Sequence, residues 1–246
     1  MRLSTLSLAL LAGLAIATSQ VHAAIVNGGF ETGDFSGWDV GILPGYDDGG
    51  RPYAIDPTGD GWIVSNVSPG SLSPINGYTA FNGFDGGVLD EFGRPVREGD
   101  LLFYLRQDFS FTGEVEAATL DFSFDIYGGP RGSEPRVFSV NILDGGSNVA
   151  NLYTYSVASV DSNPLQTISL DIAPTLDALG AGTYTLSFEE LIPQYYTGPG
   201  RFAIDDISLE IETAPVPEPS SLLAFAGLGM CFGAGSWWRR RRKPAA

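Results

Sequence analysis

The chain has 246 residues, 43% of them hydrophobic, which is enough for one sizeable domain with a buried core; its 32 glycines and 16 prolines interrupt helices too often for a helical bundle. The formal charge of −16 hides a division: six of the 13 basic residues (Arg2, Arg239 to Arg242 and Lys243) sit at the two ends, leaving seven arginines and no lysine against all 29 acids, a net of −22. Such a surface excludes binding to a phosphate backbone, so nucleic acid is not an expected partner.

The one histidine, His22, and the one cysteine, Cys231, also fall in the end segments. The part between them has no His, Cys or Lys, which excludes Ser-His-Asp and Cys-His nucleophiles, Schiff-base lysines and His or Cys zinc sites. Oxygen chemistry remains: carboxylates, hydroxyls, amides and hard cations.

In chain order, Met1-Arg2, the apolar run Leu6 to Ala17 and the small-residue pattern Val21-His22-Ala23 predict a secretory signal peptide over residues 1–23, cleaved after Ala23. Residues 24–212 then read as one domain of strands. Leu120, Phe122, Phe124 and Ile126 alternate with polar residues; so do Phe138, Val140 and Ile142; Ile168, Leu170 and Ile172; and Tyr184, Leu186 and Phe188. Turn chemistry closes these runs at Gly128-Gly129-Pro130, Asp144-Gly145-Gly146 and Ala181-Gly182. No long amphipathic helix separates them, only a single turn expected at Thr175 to Leu179, so an antiparallel β-sandwich is predicted rather than a parallel α/β fold.

The edges of the domain carry a resemblance. Ile25-Val26-Asn27-Gly28-Gly29-Phe30-Glu31 with Gly37-Trp38, and Phe202-Ala203-Ile204-Asp205-Asp206-Ile207-Ser208-Leu209, resemble the first and last strands of galactose-binding-like jelly rolls, a group that includes many carbohydrate-binding modules. Polar, glycine-rich insertions at about residues 41–60 and 83–100 depart from a compact module. The resemblance implies a structural calcium ion held by Glu31 and by Asp205 or Asp206, with backbone carbonyls near Gly29 and Gly33. Adjacent aspartates in an apolar strand fit that reading, since each is costly there without a cation or hydrogen bonds. The alternative is that one aspartate faces solvent while the other caps a loop. Ile204 and Ile207 have opposite parity, which implies a bulge between them.

Sugar binding needs flat aromatic platforms beside hydrogen-bonding groups. Tyr195 and Tyr196, successive aromatics between Pro193 and Gly198, are the leading candidates, ahead of Tyr46, Tyr53 and Tyr78; Trp38 and Trp62 are assigned to the core. A carboxylate pair for glycoside hydrolysis, such as Glu189-Glu190 or Asp90-Glu91, is not singled out by the sequence. Asp47, Asp48, Asp56 and Asp60 do not have EF-hand spacing and are secondary metal candidates.

After a proline-rich linker, 213–219, the run Ser220 to Trp238 has no charge and is long enough to span a bilayer of about 30 Å. Trp237-Trp238 and the basic tail 239–246 follow, placing the C-terminus in the cytoplasm. Pro217-Glu218-Pro219, the apolar helix and the arginine cluster together resemble the PEP-CTERM sorting signal of exopolysaccharide-producing bacteria. That resemblance implies a Gram-negative host and an exosortase-type membrane enzyme cleaving near Glu218. The protein is then anchored transiently in the inner membrane before reaching the cell surface or extracellular matrix. The function expected is a non-catalytic carbohydrate-binding module associated with extracellular polysaccharide. The alternatives are a structural matrix or biofilm protein and, third, a secreted glycoside hydrolase.

Overall fold

The described residues build eleven strands and one short helix. The computed structural model of the chain describes residues 20–23, 25–43, 61–67, 73–85, 100–127, 135–157, 163–193 and 199–214. The strands are β1 (Gln20–Ala23), β2 (Asp39–Leu43), β3 (Trp62–Ser65), β4 (Thr79–Asp85), β5 (Leu101–Phe111), β6 (Val115–Tyr127), β7 (Arg136–Asp144), β8 (Ser147–Val157), β9 (Asn163–Asp171), β10 (Gly182–Ile192) and β11 (Pro199–Thr213). The helix, α1, is Ala173–Leu179, the one place where a helical turn was expected.

Two antiparallel sheets form a sandwich of jelly-roll type. One runs β3-β4-β11-β6-β9, with β1 also paired to β11; the other runs β2-β5-β10-β7-β8. Apolar side chains of one parity from each sheet meet between them. On β6 these are Leu120, Phe122, Phe124 and Ile126, and on β5 Leu101, Phe103, Leu105, Phe109 and Phe111. Phe138 of β7 joins the two layers, its ring 4.8 Å from Phe124 of β6 and 4.8 Å from Phe202 of β11. Trp38 and Trp62 are buried in this core, as the sequence predicts.

Residues Val21–Thr213 make up one compact unit. Residues 1–19, the Pro217-Glu218-Pro219 motif, the 220–238 span and the basic tail lie outside the described residues. No described helix is long and apolar enough to cross a membrane. Gln20–Ala23, expected to leave with the signal, form β1 against β11.

The β7–β8 hairpin turns at Gly145-Gly146, both with positive φ (54° and 84°), the conformation a two-residue turn of the primed type requires. Elsewhere the sequence expectation needs correcting. Ile25 to Glu31 is not a strand but a run of turns leading to β2. Asn27 and Phe30 take left-handed backbone (φ 52° and 51°), and the Phe30 N–H donates to the Asn27 carbonyl at 3.2 Å, which folds the segment back on itself. The Asn27 amide then ties down the far side of the loop by donating to the Asp34 carbonyl at 3.0 Å.

The predicted bulge in β11 is present. Pairing with β6 slips between Asp205 and Ser208, and Asp206 has φ 53°. One extra residue restores parity, so Ile204 and Ile207 both enter the core while Asp205 points to the other face of the sheet.

Candidate functional site

The three carboxylates predicted to hold metal converge on one turn. The Asn27-Gly28-Gly29-Phe30 segment lies directly against the β11 bulge: the Ile207 N–H donates to the Gly28 carbonyl at 3.0 Å, and a Cβ on Gly28 would overlap the Ile207 carbonyl. Only glycine permits that approach. A Cβ on Gly29 would stand 3.8 Å from Glu31 Cγ and 3.9 Å from Asp205 Oδ1, so these two side chains flank Gly29.

Both carboxylates then reach the turn that starts β4. Asp205 Oδ2 accepts from the Asn76 N–H at 3.1 Å and from the Thr79 hydroxyl at 3.0 Å, while Oδ1 accepts from the Asp206 N–H at 2.8 Å. Glu31 accepts from the Tyr78 N–H at 3.2 Å, and the Asn76 amide donates to Asp206 at 3.4 Å. Asp205 is fully buried and Asp206 is exposed, which decides the inward aspartate. Burial pushes the Asp205 carboxyl up to about 6, against the three hydrogen bonds that lower it, and the neighbouring Asp206 adds to the rise.

Two carboxylates flanking a glycine, one of them buried, have the hard-oxygen character a calcium ion takes. Among the described residues no third carboxylate, His or Cys joins them as a metal-holding group, so backbone carbonyls and water would have to complete any such shell. Tyr78, weighed as a sugar platform, is half-buried beside Gly33. Tyr46, Tyr53, Tyr195, Tyr196, the Asp90-Glu91 pair and the aspartates at 47, 48, 56 and 60 lie outside the described residues.

A second site is one that sequence reasoning missed. The outer face of the five-stranded sheet is polar in rows that cross every strand. Asp39, Arg106, Ser187, Asn141 and Asn151 are successive cross-strand partners from β2 to β8. Beside them run Gly41, Tyr104, Glu189, Ser139 and Thr154 on one flank; on the other a shorter row from β5 to β8 comprises Asp108, Thr185, the apolar Leu143 and Asn148.

Hydrogen bonds lock the rows together. Arg106 donates to Ser187 Oγ and to Glu189 Oε1, each at 3.0 Å. Glu189 also accepts from Ser187 at 2.7 Å and from the Asn141 amide at 2.9 Å. Asn141 Oδ1 in turn accepts from Asn148 and Asn151 at 3.1 and 2.9 Å. The Arg106 guanidinium lies 4.3 Å from the centroid of the Tyr104 ring, and that ring occupies the space a Cβ at Gly41 would need.

At one end of this face a groove of about 520 Å³ is lined by Asp39, Arg106, Asp108 and Thr185, with Gln107 at its wall. Gln107 is held by two bonds with the Val26 backbone, which fixes the N-terminal loop to β5. The Glu189-Glu190 pair, raised above as a carboxylate couple, is split: Glu189 belongs to the outer network, whereas Glu190 turns into the core and pairs with Arg136. In sequence these polar residues are only the outward half of each alternation; strand register brings them into rows.

The C-terminal segment has a match of its own. Residues 215–243 match the PEP-CTERM protein-sorting motif. The chain carries a PEP-CTERM sorting signal. That signal marks an exported protein processed by an exosortase, and the match spans Pro217-Glu218-Pro219, the 220–238 apolar run and the arginine cluster. Among curated proteins none matches the chain.

Several solved structures are similar in fold. The K1 cleaved adhesin domain of Lys-gingipain from Porphyromonas gingivalis W83 is 15% identical, over 80% of this chain and 98% of that one, with a TM-score of 0.42. The mannan-recognising carbohydrate-binding module TmCBM27 is 10% identical over 79% and 99%, with a TM-score of 0.42. The enzymatically active domain of tailspike protein 4 from Bacteriophage CBA120 is 14% identical with a TM-score of 0.41; 77% of this chain is covered, but only 21% of that one.

Proposed function

We propose that this exported, exosortase-processed protein is a non-catalytic carbohydrate-binding module that holds extracellular polysaccharide across the outer face of its five-stranded sheet. The observation that carries the reading is the register of the polar rows. Five strands at a spacing of about 4.8 Å give a track of roughly 19 Å, the scale of an oligosaccharide rather than one sugar. Amide, hydroxyl and guanidinium groups already fixed by one another supply donors and acceptors for sugar hydroxyls with little ordering on binding. Both Glu189 oxygens accept hydrogen bonds, one from Arg106 and Ser187 and the other from Asn141, which suits a positioning group better than a nucleophile. Tyr195 and Tyr196 are proposed to add aromatic contacts.

In titrations of residues 24–214 against a panel that includes the host's own polysaccharide, saturable binding is expected. Arg106→Ala should weaken it about ten- to a hundredfold, the effect of losing a charged hydrogen-bonding group. Unchanged affinity in that variant, with loss in Tyr195→Ala or Tyr196→Ala, would move the site to the loop. Calcium-dependent self-association without saturable glycan binding would instead identify a structural matrix protein, and turnover of a glycan would identify a hydrolase.

Calcium is proposed as a structural cofactor held by Glu31 and Asp205, with Asp206 at its rim. When bound, it would neutralise the buried Asp205 carboxylate and tie the N-terminal loop to the β11 bulge. For the sorting signal, the proposal is that the exosortase-type enzyme of a Gram-negative host cuts near Glu218 and releases the domain from the inner membrane to the surface or matrix. Replacing Pro217-Glu218-Pro219 with alanines is expected to leave the full-length chain in the inner-membrane fraction. Normal release in a fractionation experiment would reject that processing route.

A further inference from the structure

We propose that the outer face of the five-stranded sheet selects polysaccharides without acidic groups, and that Asp39 and Asp108 at its grooved end set this choice by repelling sugar carboxylates, sulfates and phosphates. The inference rests on the reading of that face as the glycan site and names the class of glycan it takes. The charged side chains on its rows are Asp39, Asp108 and Glu189 against the single guanidinium of Arg106. A carboxylate on a sugar is gripped best by an arginine that offers two parallel N–H groups. Arg106 has that edge engaged already. Its Nε donates to Ser187 and its Nη2 to Glu189, each at 3.0 Å, so the fork is closed from within the protein and its charge is matched by Glu189.

The groove at the end of the face adds acceptors rather than donors. It is lined by Asp39 and Asp108, both exposed, and among the described residues neither forms a salt bridge. The Thr185 hydroxyl donates to Asp108 at 2.6 Å and the Gln107 amide donates to the Val26 carbonyl at 2.9 Å, so these neutral donors of the groove are engaged. The hydroxyls of an uncharged sugar can donate to the two carboxylates. A uronate, sulfate or phosphate in the same place sets another negative charge beside them, and no open arginine fork offsets it. The wider field has the same sign, since the region between the terminal segments carries 29 acids against seven arginines. An acidic polymer is therefore opposed both on approach and at the site, whereas an uncharged one meets only hydrogen-bonding groups.

The test is a set of titrations of the full-length chain, in a detergent without a sugar headgroup, against glycans in matched charged and uncharged forms. The starting probes are soluble β-glucan, galactan, polygalacturonate, hyaluronan and the host's own polysaccharide. A neutral polymer that binds is compared with its C6-oxidised form, and an acidic one with its carboxyl-reduced form. In each pair the uncharged form is expected to bind at least tenfold more tightly at about 50 mM salt, with the gap narrowing at about 1 M salt. The ratio of the two affinities should also fall severalfold in Asp39→Asn/Asp108→Asn. Asp39→Asn alone, which removes no hydrogen bond among the described residues, is the second variant should the double one prove unstable. An acidic form that binds as tightly as its uncharged partner overturns the proposal. A gap that neither salt nor these variants change overturns it too, because shape and not charge would then be selecting. Absence of binding to either form of every probe rejects the glycan face itself, and the selectivity with it.

Discussion

Glu190→Ala is expected to destabilise the sandwich by about 3–5 kcal/mol, the effect of removing one partner from a buried ion pair. Glu190 of β10 and Arg136 of β7 both turn into the core, 2% and 1% exposed, with Arg136 Nη2 and Glu190 Oε1 2.6 Å apart. Burial pushes the Glu190 carboxyl above the usual range, while the Arg136 charge and the polar Asn82 side chain of the opposite sheet act against that rise. Removing the carboxylate leaves the Arg136 charge in a low-dielectric interior without its counter-ion. The stability expected to be lost is large because solvent cannot replace it. The double variant Arg136→Met/Glu190→Leu should recover most of the loss, because two apolar groups of similar size avoid desolvating either charge. Urea unfolding midpoints of the three proteins check this. A single variant within about 1 kcal/mol of wild type would mean that water or another group compensates the Arg136 charge in the folded variant.

Asp205→Ala is the second large effect expected. It strips the acceptor from the part-buried Asn76 and Asp206 N–H groups and from the buried Thr79 hydroxyl. A buried donor left unsatisfied costs about 1–3 kcal/mol, and the Thr79 hydroxyl is such a donor, so a loss of about 1–3 kcal/mol is expected. Asp205 also imposes a pH dependence. Its carboxyl titrates near 6 in the folded chain, above the 3.8 of an ordinary aspartate, so the protonated form is favoured by folding. Its contribution is fully present below about pH 4 and lost as the pH rises through 6.

In EDTA, the melting temperature of wild type relative to Asp205→Asn should therefore fall between pH 4 and 7. Added calcium binds the ionised form and should raise the melting temperature at pH 7 in wild type but not in Glu31→Ala. A flat difference between wild type and Asp205→Asn across that range would remove the buried-carboxyl account. An unchanged melting temperature with calcium would remove the ion.

The fold was readable where burial is one-sided. β6, β7 and β10 show period-two alternation because one face of each meets the core and the other meets polar surroundings. β5 has the same alternation, interrupted at Gln107, whose side chain bonds the Val26 backbone instead of packing with its apolar neighbours. Ile25 to Glu31 was misread as a strand since Ile-Val and Phe suit one. The left-handed residues Asn27 and Phe30, and the contact of Gly28 with Ile207, turn it into a loop. Those are interactions with β11, 180 residues away in the chain, and local propensity does not register them.

The sequence alone determined the C-terminal sorting segment, the absence of His, Cys and Lys from residues 24–212, and the sandwich class. Each depends on composition or short-range period, which the chain carries locally. It also placed Glu31, Asp205 and Asp206 among the candidates and required a bulge in β11. Only the tertiary structure decided which aspartate is buried, that Glu190 enters the core while Glu189 stays outside it, and that polar residues from five strands stand in register. Those outcomes depend on how strands pair across long separations, and a shift of one residue in any pairing would send each side chain to the opposite face.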